Sequence, residues 1–229
     1  MTLRAVVTDL EGTTTSLAFV RDTLFPYASQ ALAAFVADHP QAPEVQAAIA
    51  VARAAVPTQR PADTLLGWIA QDRKIGELKA LQGLIWRRGY QEGALRGHLW
   101  PDAVEGLQAL ARRGVRLAVF SSGSVEAQQL LFRHSVAGDL SGLIEAWFDT
   151  GTGPKRDAAS YQRIAAALAL PCSEVLFLSD VPAELDAARA AGMRTCCLER
   201  GEDGDPPPHT HRSARDFGQL AEEVEAPAS

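Results

Sequence analysis

The stretch Ala5-Val6-Val7-Thr8-Asp9-Leu10-Glu11-Gly12-Thr13 decides the fold of this chain, because it is typical of a short buried strand that ends in acids. Apolar and β-branched residues precede the first acid, and a Gly/Thr turn follows the second. In open parallel α/β sheets, ligands bind at the carboxyl ends of the strands. Asp9 and Glu11 are therefore candidates for chemistry, while an Asp in this position is equally common as a cap of the following turn.

The pattern changes twice after this strand. From about residue 19 to residue 97 the sequence is almost wholly helical, with apolar residues three and four apart and prolines between the segments. From Trp100 onward helices and strands alternate, which indicates a parallel sheet with helices on both faces. We predict a doubly wound α/β core formed by residues 1–15 and 100–229, interrupted by an all-helical cap domain, residues 16–99.

The predicted elements follow from the same patterns. The later strands of the core are predicted at 116–120, around 147–148, at 175–178 and at 195–198. The helices of the core are predicted at 102–113, 125–133, 158–168, 182–191 and 217–224, and those of the insert at 28–38, 45–55, 64–72 and 77–88. A polar loop rich in Pro and Gly is predicted at 201–211.

Composition excludes several classes of protein. The 229 residues are 47% hydrophobic and 22% charged, which is ordinary for a globular chain. A net charge of −6 provides no basic field for nucleic acid, so we expect no such partner. No apolar run approaches the roughly 20 residues of a membrane helix, and the N-terminus lacks the pattern of a secretion signal. We expect a cytoplasmic protein, without membrane partners, that is a monomer.

The cysteines and histidines give no sign of a metal site. Cys172, Cys196 and Cys197 form no C-x-x-C pair, and their number is odd, so we predict reduced, buried thiols that serve packing. His209 and His211 follow a run of three prolines, but no third ligand lies nearby in the sequence. Because protein zinc sites use three or four ligands, we do not predict a metal at this pair.

Polar segments follow three further predicted strands or loops. Ser121-Ser122-Gly123-Ser124 precedes a helix, where hydroxyls and free amides suit a phosphate, although such a run is most often a capped turn. Lys155 lies in a Gly/Pro loop, where a lysine is usually a solvated surface charge. Asp180 ends a strand, with Glu184 and Asp186 close behind, and is either a cap or a ligand. The carboxyl ends of parallel strands meet at one edge, so we expect these groups to lie near Asp9.

In this order, these elements resemble the haloacid dehalogenase superfamily across the whole chain, including a helical insert after the first strand. Longer runs resemble the enolase-phosphatases of methionine salvage, in which a Glu stands where most phosphatases of the superfamily have a second Asp, here Glu11. These runs are Asp9-Leu10-Glu11-Gly12-Thr13-Thr14-Thr15-Ser16, Phe19-Val20, Leu24-Phe25-Pro26-Tyr27-Ala28, Asp72-Arg73-Lys74, Leu78-Lys79-x-Leu81-Gln82-Gly83-x-Ile85-Trp86 and Ser121-Ser122-Gly123-Ser124-Val125-Glu126-Ala127-Gln128.

The resemblance implies catalytic and phosphate-binding residues. Asp9 would be the nucleophile, forming an aspartyl-phosphate, and Glu11 the general acid and base. Lys155 would oppose the charge of the phosphoryl group, which the Ser121 hydroxyl and the Ser122 amide would also hold. We further expect Glu11 to remove the proton that enolisation requires.

The resemblance also implies one Mg²⁺ per subunit. The Asp9 side chain, the backbone carbonyl of Glu11 and the Asp180 side chain would be its protein ligands, since this hard ion prefers oxygen. Glu184 and Asp186 are expected to orient that site, with exposed positions on a helix as the alternative.

The implied partner is a small phosphorylated metabolite, 2,3-diketo-5-methylthiopentyl-1-phosphate, which is enolised and dephosphorylated to an acireductone. Lys79 and Gln82 are candidates for reaching the substrate from the insert, with solvated or core-packing roles as the alternative. A plain phosphatase of the same superfamily acting on another phosphomonoester is the main alternative, and a non-catalytic module that binds a phosphometabolite is a remote one. Dehalogenation is disfavoured, because it leaves the acidic segment at Asp180 without a purpose.

Overall fold

One parallel sheet organises the part of the chain that the computed structural model describes, residues 3–71, 73, 75–204 and 206–223, with side chains to residue 220. Its six strands lie in the order β3-β2-β1-β4-β5-β6. They are β1 (Ala5–Thr8), β2 (Arg116–Phe120), β3 (Ala146–Phe148), β4 (Val175–Ser179), β5 (Arg194–Leu198) and β6 (Arg212–Ala214). All neighbours are parallel. β1 is central, which explains why its sequence is apolar on both faces.

Helices precede or follow the later strands of this sheet along the chain. They are α6 (Pro101–Arg112), α7 (Val125–Arg133), α8 (Ala158–Ala167), α9 (Pro182–Ala190) and α10 (Phe217–Glu223). On one face Val7, Phe120 and Phe177 pack with Tyr161 of α8 and Leu185 of α9 in a buried cluster. Elsewhere α6 packs against β2, and α10 packs against α6. The doubly wound α/β fold predicted from the alternating pattern is confirmed.

The chain separates into two compact units. Unit 1 comprises Met1–Leu17 and Gly97–Ser229, and unit 2 comprises Ala18–Arg96. The predicted boundaries, after residues 15 and 99, lie two and three residues from these divisions. The use of unit 2 as a cap domain stays a prediction.

Unit 2 is helical throughout the residues that are described. A short α1 (Leu17–Phe19) continues as a π-helical turn, Val20–Leu24, into α2 (Phe25–Asp38). The others are α3 (Pro43–Ala55), α4 (Pro61–Ala70) and α5 (Gly76–Gln91). The last three helices of unit 2 pack with α2 around Leu32, Leu65 and Leu81, which are fully buried. Some predicted positions lie outside the described residues. They are the predicted helix ends Asp72 and Val224, Lys74 of the motif at 72–74, and the two ends of the predicted core.

The structure differs from the sequence-based prediction in two places, the strand β6 and the thiol of Cys172. The strand β6 follows the Pro-rich loop, and only Ala214 of its three residues is buried, so no apolar run marks it. The three cysteines are free, but Cys172 is half-buried, whereas the prediction placed all three in the core. Among the described residues, no helix has the length and apolar character needed to span a bilayer.

Candidate active site

Asp9 lies directly after β1, and its carboxylate is buried at the carboxyl edge of the sheet. Its Oδ1 accepts a hydrogen bond of 2.7 Å from the Leu10 backbone N–H and lies 2.7 Å from the ammonium Nζ of Lys155. Its Oδ2 accepts a bond of 3.3 Å from the Ser179 hydroxyl. Both oxygens are therefore held by donors from three separate segments, which orients the carboxylate far more strictly than a turn cap requires.

Lys155 is buried between two carboxylates. Its Nζ lies 2.7 Å from Asp9 Oδ1 and 2.6 Å from Glu184 Oε2, and its side chain is only 7% exposed. Burial by itself would lower the pKa of Lys155, but Asp9 and Glu184 outweigh it and raise the pKa. The Tyr161 hydroxyl donates a hydrogen bond of 2.7 Å to the Lys155 carbonyl and fixes the loop. The alternative of a solvated surface lysine is wrong.

Asp180 follows β4 and is bound to the loop after β1. The Thr13 hydroxyl donates to Asp180 Oδ1 at 3.1 Å and accepts from the Asp180 backbone N–H, also at 3.1 Å. Gly12 has φ +75°, and a Cβ at this position would lie 2.2 Å from Asp180 Oδ2. The Gly12-Thr13 turn is therefore shaped around the Asp180 carboxylate.

The site holds more negative than positive charge. Burial, and then the charge of Asp9, raise the pKa of Asp180 to about 6 and that of Glu184 to about 7. Lys155 opposes both shifts, and the Ser179 hydroxyl, whose single proton is shared between Asp9 Oδ2 and Glu184 Oε2, lies 3.2 Å from Glu184 Oε2. Raised pKa values mean that this environment resists ionisation of both carboxyls until a further cation arrives. An oxygen-rich, electron-rich site of this kind suits Mg²⁺.

We expect Gly12→Ala to damage the site more than the fold. The left-handed φ costs an alanine about 1–2 kcal/mol, and the added Cβ also forces Asp180 to move. Phosphate release should then need at least about tenfold more Mg²⁺ for half-maximal rate. Gly93→Ala is the matched control, since Gly93 has φ +74° and a Cβ added there would have no neighbouring atom within 4 Å. If both variants needed the same Mg²⁺ concentration for half-maximal phosphate release, the role of Gly12 would be contradicted. Unfolding by urea measures how much each substitution destabilises the fold through the backbone.

Ser121 follows β2, the neighbour of β1, and so lies at the same edge as Asp9. Its side chain is buried, and its Oγ accepts a hydrogen bond of 3.1 Å from the Gly123 N–H. The cap of α7 is Ser124, whose Oγ accepts from the Ala127 N–H. The capped-turn interpretation therefore describes Ser124 rather than Ser121. Ser122 is exposed, and the phosphate-binding roles of Ser121 and Ser122 stay predictions.

Comparisons with known proteins identify the family. The sequence model of the haloacid dehalogenase-like hydrolases matches residues 3–192. The curated Enolase-phosphatase E1 of Sorangium cellulosum is 56% identical over 225 residues, which cover 95% of this chain and 97% of that protein. That of Pseudomonas aeruginosa, strain UCBPP-PA14, is 53% identical over 205 residues, 87% of this chain and 91% of the relative. The chain belongs to the enolase-phosphatase family of these hydrolases. The resemblance inferred from its motifs is confirmed, and the chain is an enzyme.

Solved structures agree with this placement. The UTR4 protein of Saccharomyces cerevisiae is 31% identical with a TM-score of 0.79, over 94% of this chain and 98% of that one. An L-2-haloacid dehalogenase from Xanthobacter autotrophicus has a TM-score of 0.61 at 17% identity, over 97% and 98% of the two chains. The second likeness concerns the fold alone.

Arg200 is a site residue of this enzyme that the sequence analysis missed. Its Nε donates a hydrogen bond of 2.6 Å to the Thr13 carbonyl, and its two terminal nitrogens each bind a carboxylate oxygen of Asp102 at 3.0 Å. The guanidinium also lies 5.3 Å from the Trp100 ring and 5.6 Å from the Phe217 ring. A guanidinium is held rigidly when it makes two hydrogen bonds to one carboxylate and also lies against aromatic rings. Arg200 therefore fixes the backbone of the turn whose side chain binds Asp180.

His98 holds the other end of the same turn in the enzyme. Its Nδ1 lies 3.1 Å from the Thr15 hydroxyl and accepts a bond of 3.3 Å from the Ser16 N–H. Burial lowers the pKa of His98, which favours the neutral ring that can accept this bond. The Asp203 carboxylate accepts from the Leu17 N–H at 3.0 Å. The segment after Asp9 is thus bound at both ends by residues distant in sequence.

A cleft of about 330 Å³ opens beside Asp180. Arg156, Asp203 and Pro206 are among the residues that line it. This volume lies in the range of pockets that bind small molecules. Every residue of the cleft belongs to unit 1.

Two residues predicted to orient the metal site, Glu184 and Asp186, and two predicted to reach the substrate, Lys79 and Gln82, have different outcomes. Glu184 contacts Lys155 as described, but Asp186 is exposed, and its Oδ1 lies 2.6 Å from Arg189 and 3.1 Å from His211 instead. The expectation that Asp186 orients the metal site is therefore wrong. Its carboxylate is already occupied by these two side chains. Lys79 and Gln82 lie on α5, where Gln82 is buried, and their reach toward the substrate stays a prediction.

The position of Glu11 leaves its assigned role untested. It is half-buried in the turn, where its backbone bridges to Thr15. Its side chain is therefore neither part of the core nor fully solvated. The roles of Glu11 as acid, base and carbonyl ligand stay predictions.

Proposed function

We propose that the enzyme converts 2,3-diketo-5-methylthiopentyl-1-phosphate, through its enol-phosphate, to 1,2-dihydroxy-3-keto-5-methylthiopentene and phosphate in methionine salvage. Relatives more than half identical that are named enolase-phosphatase support this reaction. The observation that carries the phosphatase half is the buried Asp9 carboxylate, held 2.7 Å from the Lys155 ammonium beside Asp180. A plain phosphatase for another phosphomonoester would use the same three residues and remains the alternative.

The donor groups at the site fit Mg²⁺. The side chains of Asp9 and Asp180 and the carbonyl of Glu11 would hold one ion per subunit, all through oxygen. Support comes from the excess of carboxylates and from the room that Gly12 leaves for Asp180. When bound, the ion supplies positive charge that reduces the repulsion between these carboxylates and the phosphate.

Asp9 would carry out the phosphoryl transfer. A carboxylate oxygen forms a bond to phosphorus while the bond from phosphorus to the substrate oxygen breaks, and water later cleaves the aspartyl-phosphate. Lys155 holds the negative charge of the transferring group, and the Ser121 hydroxyl and Ser122 amide bind its oxygens. Glu184 keeps Lys155 in place from the opposite side.

Glu11 would move the protons. It removes a proton from C1 of the diketone, and the C2 oxygen takes a proton from solvent to complete the enol. Glu11 then passes the C1 proton to the departing oxygen, and later accepts a proton from the attacking water and releases it to solvent. A positioned acid or base of this kind contributes about 10²–10⁴-fold to a rate. Glu11 is half-buried and lies two residues after Asp9, in the same turn as the proposed nucleophile.

We expect the wild-type enzyme to convert the diketone phosphate with an ultraviolet change from an enolised species, and only with Mg²⁺ present. In Glu11→Gln, formation of that species should slow by about 10²-fold or more, because the amide cannot take the proton. Stopped-flow absorbance and a phosphate assay follow the two steps separately. Glu105→Gln, an exposed glutamate of α6, is the matched control.

Each outcome of this experiment bears on a separate part of the proposal. Phosphate release without any enolised species or acireductone would favour the plain phosphatase. Enolisation at the wild-type rate in Glu11→Gln would refute the role of Glu11 alone. Full activity in excess EDTA would refute the requirement for Mg²⁺.

A further inference from the structure

The end of β5 and the Pro-rich loop bring three different metal-binding side chains together. Cys197 and Glu199 are two residues apart, so their side chains leave the strand on the same side. β6 returns beside β5, with Cys197 opposite Ser213, and this return brings His209 to the same place. The thiol, a carboxylate oxygen and an imidazole nitrogen of the three residues all lie within 4.8 Å of one another. His209, which has no third ligand near it in the sequence, therefore has two candidate partners in space.

We infer that Cys197, Glu199 and His209 form a binding site for a thiophilic divalent cation such as Zn²⁺. A thiolate, a carboxylate and a neutral imidazole together carry two negative charges, which balance such an ion. In a tetrahedral zinc site the ligand atoms lie about 3.5 Å apart, so the cluster needs only a small closure. Cys197 is buried and the His209 side chain is 9% exposed, while Glu199 is 39% exposed and leaves access for a water as fourth ligand.

The hydrogen bonds around the cluster show what a metal would replace. His209 Nε2 lies 3.2 Å from Glu199 Oε1, and its Nδ1 accepts a bond of 3.2 Å from the His211 N–H. The ring proton is therefore on Nε2, and a metal at Nε2 moves it to Nδ1 and ends the bond from His211. The Cys197 thiol loses its proton to solvent. The Ser213 hydroxyl donates to Glu199 Oε1 at 2.5 Å and would keep the carboxylate oriented.

This site selects a different ion from the one proposed at Asp9. The buried Cys197 offers a soft sulfur ligand beside the imidazole of His209, and this donor set favours a cation with high affinity for sulfur and nitrogen. Mg²⁺ has no such affinity. His211 takes no part, because its Nε2 binds Asp186 and its Nδ1 lies 2.9 Å from the Thr195 hydroxyl.

A metal at this site would tie the loop to the sheet. The loop between Glu199 and His209 carries Asp203, which accepts the Leu17 N–H and lines the cleft beside Asp180. At present the loop is attached to β5 through the contact of His209 with Glu199. Three coordination bonds would replace the contact of His209 with Glu199 and the bond from the His211 N–H, so the loaded loop should exchange its amide hydrogens more slowly.

Co²⁺ is the probe that tests the inference, because a thiolate bound to Co²⁺ gives a charge-transfer band in the near ultraviolet. The full-length, metal-free protein with Cys172→Ser, which removes the half-buried thiol, is titrated with Co²⁺ alone. We expect one equivalent to produce the band. Adding Cys197→Ser should abolish the band and weaken binding at least about tenfold, whereas Cys196→Ser, the adjacent buried thiol on the other face of β5, should leave both unchanged.

Further variants separate this site from its neighbours. Glu199→Gln and His209→Asn should each weaken Co²⁺ binding at least about tenfold, while His211→Asn should not. Asp9→Asn should keep the full band, which shows that the cobalt is not at the proposed Mg²⁺ site. The inference fails if wild type gives no band, if the band survives Cys197→Ser, or if Asp9→Asn removes it. Circular dichroism of each variant confirms that the fold is intact, and none of these readouts depends on phosphatase activity.

Discussion

Asp9→Asn is expected to lower Mg²⁺-dependent phosphate release by about 10³-fold or more, which is the size of effect seen when a catalytic nucleophile is removed. The amide has nearly the same shape as the carboxylate, so the backbone contacts around it should persist. It cannot, however, form the aspartyl-phosphate on which the proposed mechanism depends. Initial rates with the diketone phosphate at saturating Mg²⁺ measure the loss directly.

A second measurement shows whether Asp9 is the attacking group. Acid quenching during turnover of substrate labelled in its phosphate should leave label on the wild-type protein and none on Asp9→Asn. Asp186→Asn is the matched control, because the exposed Asp186 carboxylate binds Arg189 and His211 and has no contact with Lys155. Release at the wild-type rate by Asp9→Asn, or equal losses in the two variants, would refute the assignment of the nucleophile.

Most of the fold could be predicted because its signals are local. The apolar runs at Val6 and Leu176, and the change from continuous helix to alternating elements at Trp100, depend on neighbouring residues only. In β6 only one of the three residues is buried, so the sequence has no apolar run there, and this strand was not predicted. The strand order was not predicted, because it depends on pairings between segments distant in sequence, such as β1 with β4.

The candidate site could be predicted only in part, because its supporting contacts are distant in sequence. Asp9, Asp180 and Lys155 stand at strand ends and in a loop, where motif and position together indicate chemistry. Arg200 reaches Thr13 across 187 residues, and nothing beside Arg200 in the sequence distinguishes it from a surface charge. The same holds for His209, whose partners come from β5. Asp186 shows the opposite failure, since spacing alone placed it near the predicted metal site, whereas its carboxylate contacts Arg189 and His211.

Lys155→Met is expected to remove activity and also to destabilise the enzyme. Methionine fills a similar volume but leaves the carboxylates of Asp9 and Glu184 without the ammonium that lies 2.7 and 2.6 Å from them. Removing one partner of a buried ion pair costs about 3–5 kcal/mol of unfolding free energy. Phosphate release should fall by at least about 10²-fold, because the charge that opposes the transferring phosphoryl group is lost.

The loss of stability in Lys155→Met should grow with pH. In the wild type the pKa of Glu184 is already raised to about 7, mainly by burial, and Lys155 opposes that rise. Without Lys155 the pKa of Glu184 in the folded state moves higher still, while in the unfolded chain it stays near 4.5. The folded variant therefore holds a proton that the unfolded chain releases, so raising the pH favours unfolding.

Urea unfolding of both proteins at pH 5 and pH 8, without added metal, measures this difference. We expect the gap in unfolding free energy between wild type and Lys155→Met to be smaller at pH 5, where Glu184 is protonated in both folded proteins, and larger at pH 8. Arg156→Met, the exposed cation next in sequence, is the control for stability and should show no such dependence. A gap that is independent of pH would mean that Lys155 does not hold Glu184 ionised in the folded enzyme, and its place between the two carboxylates would then need another explanation.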